Sequence, residues 1–257
     1  MHLDKYATLL FKHLSRWVHH SGTITFVTGA NAPFYNSMKD NLLASIRRFE
    51  PDAEIVVWDL GLTDAQMNEL QFVANEWGGV KIESFPFERL PEHYALENQN
   101  YAFKSYCVFE TLRNCQTKYL LWLDAGCGLA APLWAERNLM HHYGFYSPYS
   151  ATTIEQLTHP SVMEAYLDSR MHMGNRQMLA AGMIGVRTDS EKGVAVVVQW
   201  HHECRLLELL APKGSDKSNH RQDQSVVSLA YYSRNQQVPL LARRWINVKF
   251  HLHKGGK

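Results

Sequence analysis

The chain has 257 residues, 46% of them hydrophobic and 20% charged, with a formal net charge of +1 at neutral pH. That length suits one large domain with its own core, and the near-zero charge offers no electrostatic footprint for nucleic acid. No apolar run approaches the ~20 residues that a membrane-spanning helix needs.

The opening stretch, MHLDKYATLLFKHLSRWVHH, sets Leu9, Leu10, Leu14, Trp17 and Val18 at helical spacing, interrupted by Lys12 and Arg16. Those charges break up the continuous apolar core that a signal peptide requires. Residues 1–22 read as an amphipathic helix packed on the domain. Peripheral membrane or partner contact through residues 1–20 is the alternative. Residues 23–257 read as a single domain, with no linker, internal repeat or low-complexity stretch.

Strand and helix then alternate. TITFVTGA is a buried strand running into a glycine turn, and SMKDNLLASIRRF places Met38, Leu42, Ile46 and Phe49 on one helical face, with Ser37 and Asp40 as its cap. EIVVWDLGL is a second strand that exits through Asp59. TDAQMNELQFVANEWGG carries a Thr63/Gln66 capping box, a Met67/Leu70/Ala74/Trp77 stripe and a glycine stop. VKIESFPF is a third strand, and AFKSYCVFETLRN is a helix that feeds the strand KYLLWLD. In the second half AAGMIGVRTD reads as a strand and SEKGVAVVVQWHHECRLLELL as one long helix. APKGSDKSNH has loop composition, and DQSVVSLAYYSR is a short helix with an acidic start. This rhythm predicts an α/β domain whose sheet is mostly parallel and flanked by helices, with ligands beyond the carboxyl ends of the strands. The four cysteines form no C-x-x-C pair, and Cys107 and Cys204 fall in apolar helical patterns, so a reducing, cytoplasmic setting is expected.

The stretch KYLLWLDAGCGL, Lys118 to Leu129, packs aromatic and aliphatic residues up to one aspartate, Asp124, and then turns through small residues. A buried strand that delivers a carboxylate to the sheet edge has this form. Far downstream, His251 and His253 alternate within VKFHLHKGGK, so on a strand they share a face. Hard or borderline cations take carboxylate and imidazole ligands, and imidazole favours Mn²⁺ over Mg²⁺.

Taken in order, V-T-G-A, W-D-L-G-L, Y-A-F-K, W-L-D-A-G, A-A-G-M-I-G and R-Q-D-Q-S resemble the motif series of GT-A glycosyltransferases. The resemblance is to the glycosyltransferase-like domains of large algal viruses and of nematodes, and more distantly to glycogenin-like enzymes. It runs from Ile24 to His253. It implies a GT-A (Rossmann-like) single domain that moves a sugar from a nucleotide-diphosphate sugar to a glycan acceptor. The donor's base and ribose would lie near Thr28, Gly29, Ala30 and Asp59, with Lys104 at the pyrophosphate. Ala181, Gly182, Gln224 and Gly126 would border the donor sugar. Asp124 with His251 or His253 would hold Mn²⁺ (or Mg²⁺), and Asp223 would act as base or sugar-contacting carboxylate. The chain departs from the family at Gly126, where an Asp-X-Asp motif has its second carboxylate. That departure leaves open a metal-free site carried by Lys104 and Lys254, and a catalytically silent domain that only binds a nucleotide or glycan.

Plainer readings stand beside these. Asp59 suits a turn, Asp223 a helix N-cap, and Lys104 a solvated surface. His159 to Gln177 breaks the α/β rhythm and is expected on the acceptor side. V-T-G-A-N-A-P lacks both G-x-G-x-x-G and a Walker lysine, which argues against a nucleotidyltransferase or another nucleotide-binding α/β enzyme and against a dehydrogenase.

Overall fold

The computed structural model describes Leu14 and residues 21–166, 173–234 and 246–252. Most of the helix read over 1–22, together with His253 and Lys254, lies outside the described residues.

Six strands form the central sheet: β1 (Ile24–Ala30), β2 (Glu54–Asp59), β3 (Val80–Ser84), β4 (Tyr119–Leu123), β6 (Phe145–Tyr146) and β9 (Met183–Arg187). Their order is β3-β2-β1-β4-β9-β6. β3, β2, β1 and β4 pair in parallel, whereas β9 runs antiparallel to both β4 and β6. Every residue of β1 and β4 is buried, as expected of central strands covered on both faces, and edge strand β3 is only partly buried. Two small ribbons flank the sheet. One pairs β5 (Gly128–Leu129) with β10 (Val248–Lys249), the other β7 (Tyr149–Thr153) with β8 (Gln177–Leu179).

Helix α1, residues 35–49, is continuous through three segments, with a π-helical turn at Met38–Leu43. It buries Met38, Leu42 and Ile46. The cap expected at Ser37 and Asp40 does not form, because the helix has already begun at Tyr35 behind a 3₁₀ turn containing Pro33. α2 (Asp64–Trp77) has the expected capping box and ends at Gly78, whose φ is +63°. Trp77, the last member of its predicted stripe, is instead exposed, with the Arg47 guanidinium 6.0 Å from its ring centroid.

The remaining helices are α3 (Phe103–Asn114), α4 (Trp134–Tyr143), α5 (Pro160–Glu164), α6 (Glu191–Cys204), α7 (Leu207–Leu210) and α8 (Asp223–Tyr232). The single long helix expected after Ser190 is two, broken where Leu206 turns extended; the break buries Leu210 and leaves Leu206 and Leu207 exposed. α3, α6 and α8 pack one core against the sheet, and α1 with α4 packs the other. The result is an α/β fold with a mostly parallel sheet between helical layers. Among the described residues no helix is long and apolar enough to cross a membrane.

Candidate active site

Parallel pairing puts the carboxyl ends of β1, β2 and β4 on one edge, and antiparallel β9 begins there, with Met183 opposite Leu123. Asp124 leaves β4 at this edge. Its amide donates to Gly182 O at 3.1 Å and its carbonyl accepts from Cys127 N at 2.8 Å, which closes a tight turn. α3 runs back along the sheet to feed β4, so its first turn, bearing Lys104, lies at the same edge.

Three charged groups meet here. Lys104 Nζ is 3.0 Å from Asp124 Oδ1 and 3.6 Å from Asp223 Oδ2. The side chains of Lys104 and Asp223 are 9% and 4% exposed, whereas that of Asp124 is 35% exposed, so Asp124 is the member that meets solvent. The Trp122 indole N–H donates to Asp124 Oδ1 at 2.9 Å. Strand alternation accounts for this, because Trp122 and Asp124 lie two residues apart on one side of the chain. The predicted solvated fate of Lys104 is overturned. Its ammonium is spent on two carboxylates and also lies 5.0 Å from the Tyr101 ring centroid. On that ring Lys217 approaches to 5.6 Å, and it donates to Gln99 Oε1 at 2.9 Å.

The electrostatics follow from burial. Desolvation pushes the Asp223 carboxyl up to about 7, with the Asp124 charge adding to the rise and Lys104 opposing it. For Lys104, desolvation favours the neutral amine, but the charges of Asp124 and Asp223 outweigh it and hold the group above its ordinary value. Asp223 does not cap α8. The N-cap is Gln222, with a positive φ of +44° and no side-chain cap bond. The Asp223 carboxylate turns to Lys104 instead, and among the described residues its Oδ2 has no hydrogen-bond donor.

The other predicted residues divide. Gly182 is at the site: a Cβ there would stand 3.1 Å from both Asp124 Oδ2 and the Phe250 ring. Ala181 is buried beside it, and Gln224 is half-buried next to Asp223. Gly126 is not open to a ligand, since it is buried and its carbonyl accepts from Leu252 N at 2.8 Å. Thr28, Gly29 and Ala30 are also buried. Leu60 covers Gly29, where a Cβ would meet Leu60 Cδ1 at 2.9 Å, and Leu60 N bonds Ala30 O. At this end of β1 and β2, Asn31, Asp59 and Gly61 are among the accessible residues. Asp59 Oδ1 accepts from Gly61 N and Leu62 N at 2.8 and 2.7 Å, the turn-capping role its residue type favours.

His251 lies in the segment that follows β10, in a left-handed conformation with φ +59°. The adjacent Leu252–Gly126 bond brings this segment alongside the turn after Asp124. Among the described residues no three His, Cys, Asp or Glu side chains converge on a point that could hold a metal ion. The charge set still suits a cation. Asp124 is the carboxylate that meets solvent, and a divalent ion bound with diphosphate oxygens often uses only one or two protein carboxylates.

A family described as protein of unknown function (DUF1647) matches residues 3–108. No curated protein matches the chain. Among solved structures, the bifunctional glycosyltransferase WbbM aligns over 84% of this chain at 12% identity, with a TM-score of 0.56. The chain spans only 38% of WbbM. The mannosyltransferase Ktr4p of S. cerevisiae aligns over 96% of this chain and 80% of its own length at 11% identity, with a TM-score of 0.51. At such identities the likeness shows the fold, a glycosyltransferase-type α/β fold, and not the substrate.

Proposed function

We propose that the chain is a glycosyltransferase that moves a sugar from a nucleotide-diphosphate sugar to a hydroxyl of a glycan. The observation that carries this reading is the placement of Asp124 and Asp223 on one ammonium, Lys104, at the carboxyl edge of the sheet. Open α/β sheets bind their ligands at that edge.

The roles follow from exposure and charge. Asp124, the solvent-facing carboxylate, meets the donor, and Gly182 leaves room beside it. Asp223, near neutral in acidity, is the base. It takes the proton of the acceptor hydroxyl as that oxygen bonds the anomeric carbon. The bond from that carbon to the phosphate oxygen breaks, and its electron pair leaves with the nucleotide diphosphate. Lys104 keeps the two carboxylates apart and in place. The nucleotide lies toward Asn31 and Asp59, accessible residues beside buried Thr28, Gly29 and Ala30. Asp124 with His251 or His253 would hold Mn²⁺ or Mg²⁺, and that ion when bound supplies positive charge to the departing diphosphate.

Thermal stability and calorimetry with UDP and GDP, each with Mn²⁺ and with EDTA, test the reading. One nucleotide should raise the melting temperature, and Asp124→Ala should remove the effect. Loss of the effect in EDTA supports the metal, and its persistence removes the metal from the scheme. Indifference to both nucleotides, and to their sugars, refutes nucleotide-sugar transfer.

A further inference from the structure

The segment Ile246–Leu252 is held by a buried carboxylate that no catalytic role requires. Glu136, on α4, is fully buried. Its Oε1 accepts from Asn247 N at 2.6 Å and its Oε2 from Asn247 Nδ2 at 3.4 Å. The rest of Asn247 is equally fixed, with Nδ2 on Pro132 O and its carbonyl on Ala130 N. α4 is itself anchored. Glu50, at the end of α1, accepts from Leu133 N at 2.8 Å and from both terminal nitrogens of Arg137, at 2.9 and 2.7 Å.

Burying two carboxylates is costly unless donors satisfy them, so such groups act as rigid couplers when they are retained. From this anchor the chain pairs Val248 with Leu129 and Lys249 with Gly128, lays Phe250 against Gly182, and bonds Leu252 N to Gly126 O. These contacts fall on the turn after Asp124, on β5 that continues it, or on Gly182 beside Asp124.

We propose that Glu136 is a positioning residue for the donor site. It latches Ile246–Leu252 as a strap, and the strap sets one wall of the pocket through Phe250 and holds the Asp124 turn. This rests on the transferase reading above, since a strap that walls a donor site presupposes a donor.

The test is calorimetric binding of UDP and GDP with Mn²⁺, together with hydrogen exchange of the 246–252 amides, in wild type and three variants. Glu136→Ala removes the latch, and Glu136→Gln keeps an acceptor for Asn247 N. Leu252→Pro deletes the amide on Gly126 at the far end of the strap; its binding is read in EDTA as well, because proline disfavours the positive φ of His251, a candidate metal ligand. Glu136→Ala and Leu252→Pro are expected to weaken nucleotide binding by about 10–100-fold, as for other supporting groups, while exchange speeds up across the strap and not in β1 or β4. Glu136→Gln should recover most of the affinity, and exchange that speeds up only across the strap separates a lost latch from a general loss of stability. Wild-type affinity in Leu252→Pro or in a folded Glu136→Ala overturns the latch and leaves the transferase reading standing. Failure of the wild type to bind either nucleotide overturns both.

Discussion

Trp122 and Asp124 are joined by a 2.9 Å hydrogen bond from the indole N–H to Oδ1, the same oxygen that lies 3.0 Å from Lys104 Nζ. A solvent-facing carboxylate at the end of a fully buried strand is therefore aimed from below by two donors. Its orientation precedes any ligand, which is the condition for a preorganised site.

Trp122→Phe keeps the aromatic bulk and deletes only the donor. A hydrogen bond to a charged group contributes about 1.5–3 kcal/mol, and partial solvation of Asp124 puts the loss near the lower end. Urea denaturation should show that loss with an unchanged m-value. Nucleotide affinity should fall with it, because Asp124 is then held by Lys104 alone.

Lys104→Met leaves two carboxylates facing each other around an apolar side chain. Breaking a buried pair by removing one partner costs about 3–5 kcal/mol, and the exposure of Asp124 moderates this. The carboxyl of Asp223, already at about 7, should rise further once the opposing charge is gone. Carboxyl titration followed by infrared spectroscopy on the folded variant checks the direction, and a fall would refute the account.

Asp223 also makes stability depend on pH. Its folded value of about 7 lies above the ~3.9 of an unfolded aspartate, so the native state binds the extra proton between those limits. The stabilisation from that proton is full below about pH 4 and is lost as pH rises through 7. Asp223→Asn should remove this slope, so that variant and wild type diverge progressively in denaturation midpoint between pH 4 and 7.

The same ionisation should govern turnover. A base must be deprotonated, so the rate should climb with pH through about 7 and level off above it. Asp223→Asn should lower turnover about 10²–10⁴-fold, the usual contribution of a general base. A flat profile between pH 5.5 and 8.5 would assign the base elsewhere.

Gly193 offers a control for the scaffold. A Cβ there would stand 2.2 Å from the Gly144 carbonyl oxygen, a backbone atom that has no side-chain freedom to move aside. Gly193→Ala should destabilise the fold by roughly 1–3 kcal/mol or more, measured by chemical denaturation. Gly182→Ala meets Asp124 and Phe250 at 3.1 Å and should affect nucleotide affinity more than stability.

Much of the architecture is local in origin and legible in the chain. The buried runs of β1 and β4, the Thr63/Gln66 capping box and the glycine stop at Gly78 each depend on a few neighbouring residues, so their patterns specify them. Asp124 at a strand end is legible for the same reason. Trp122 as its donor was readable too, from a two-residue spacing in a strand.

What those patterns leave undetermined is which side chains meet. Lys104 and Asp223 come from distant parts of the chain, and only the packing of α3, β4 and α8 brings them to one point. Leu60 decides that Gly29 is covered, and the Leu252 amide takes the carbonyl of Gly126; neither could be told from the glycines themselves. Glu136 carries no signal of its own in the sequence, because the group it holds, Asn247, is far along the chain. By itself the sequence determined the strands and helices of the first half and the carboxylate at the sheet edge, because hydrophobic period and turn chemistry act over a few residues. Only the tertiary structure decided the charge cluster, because the burial and opposing charges that set its acidity come from residues the chain keeps far apart.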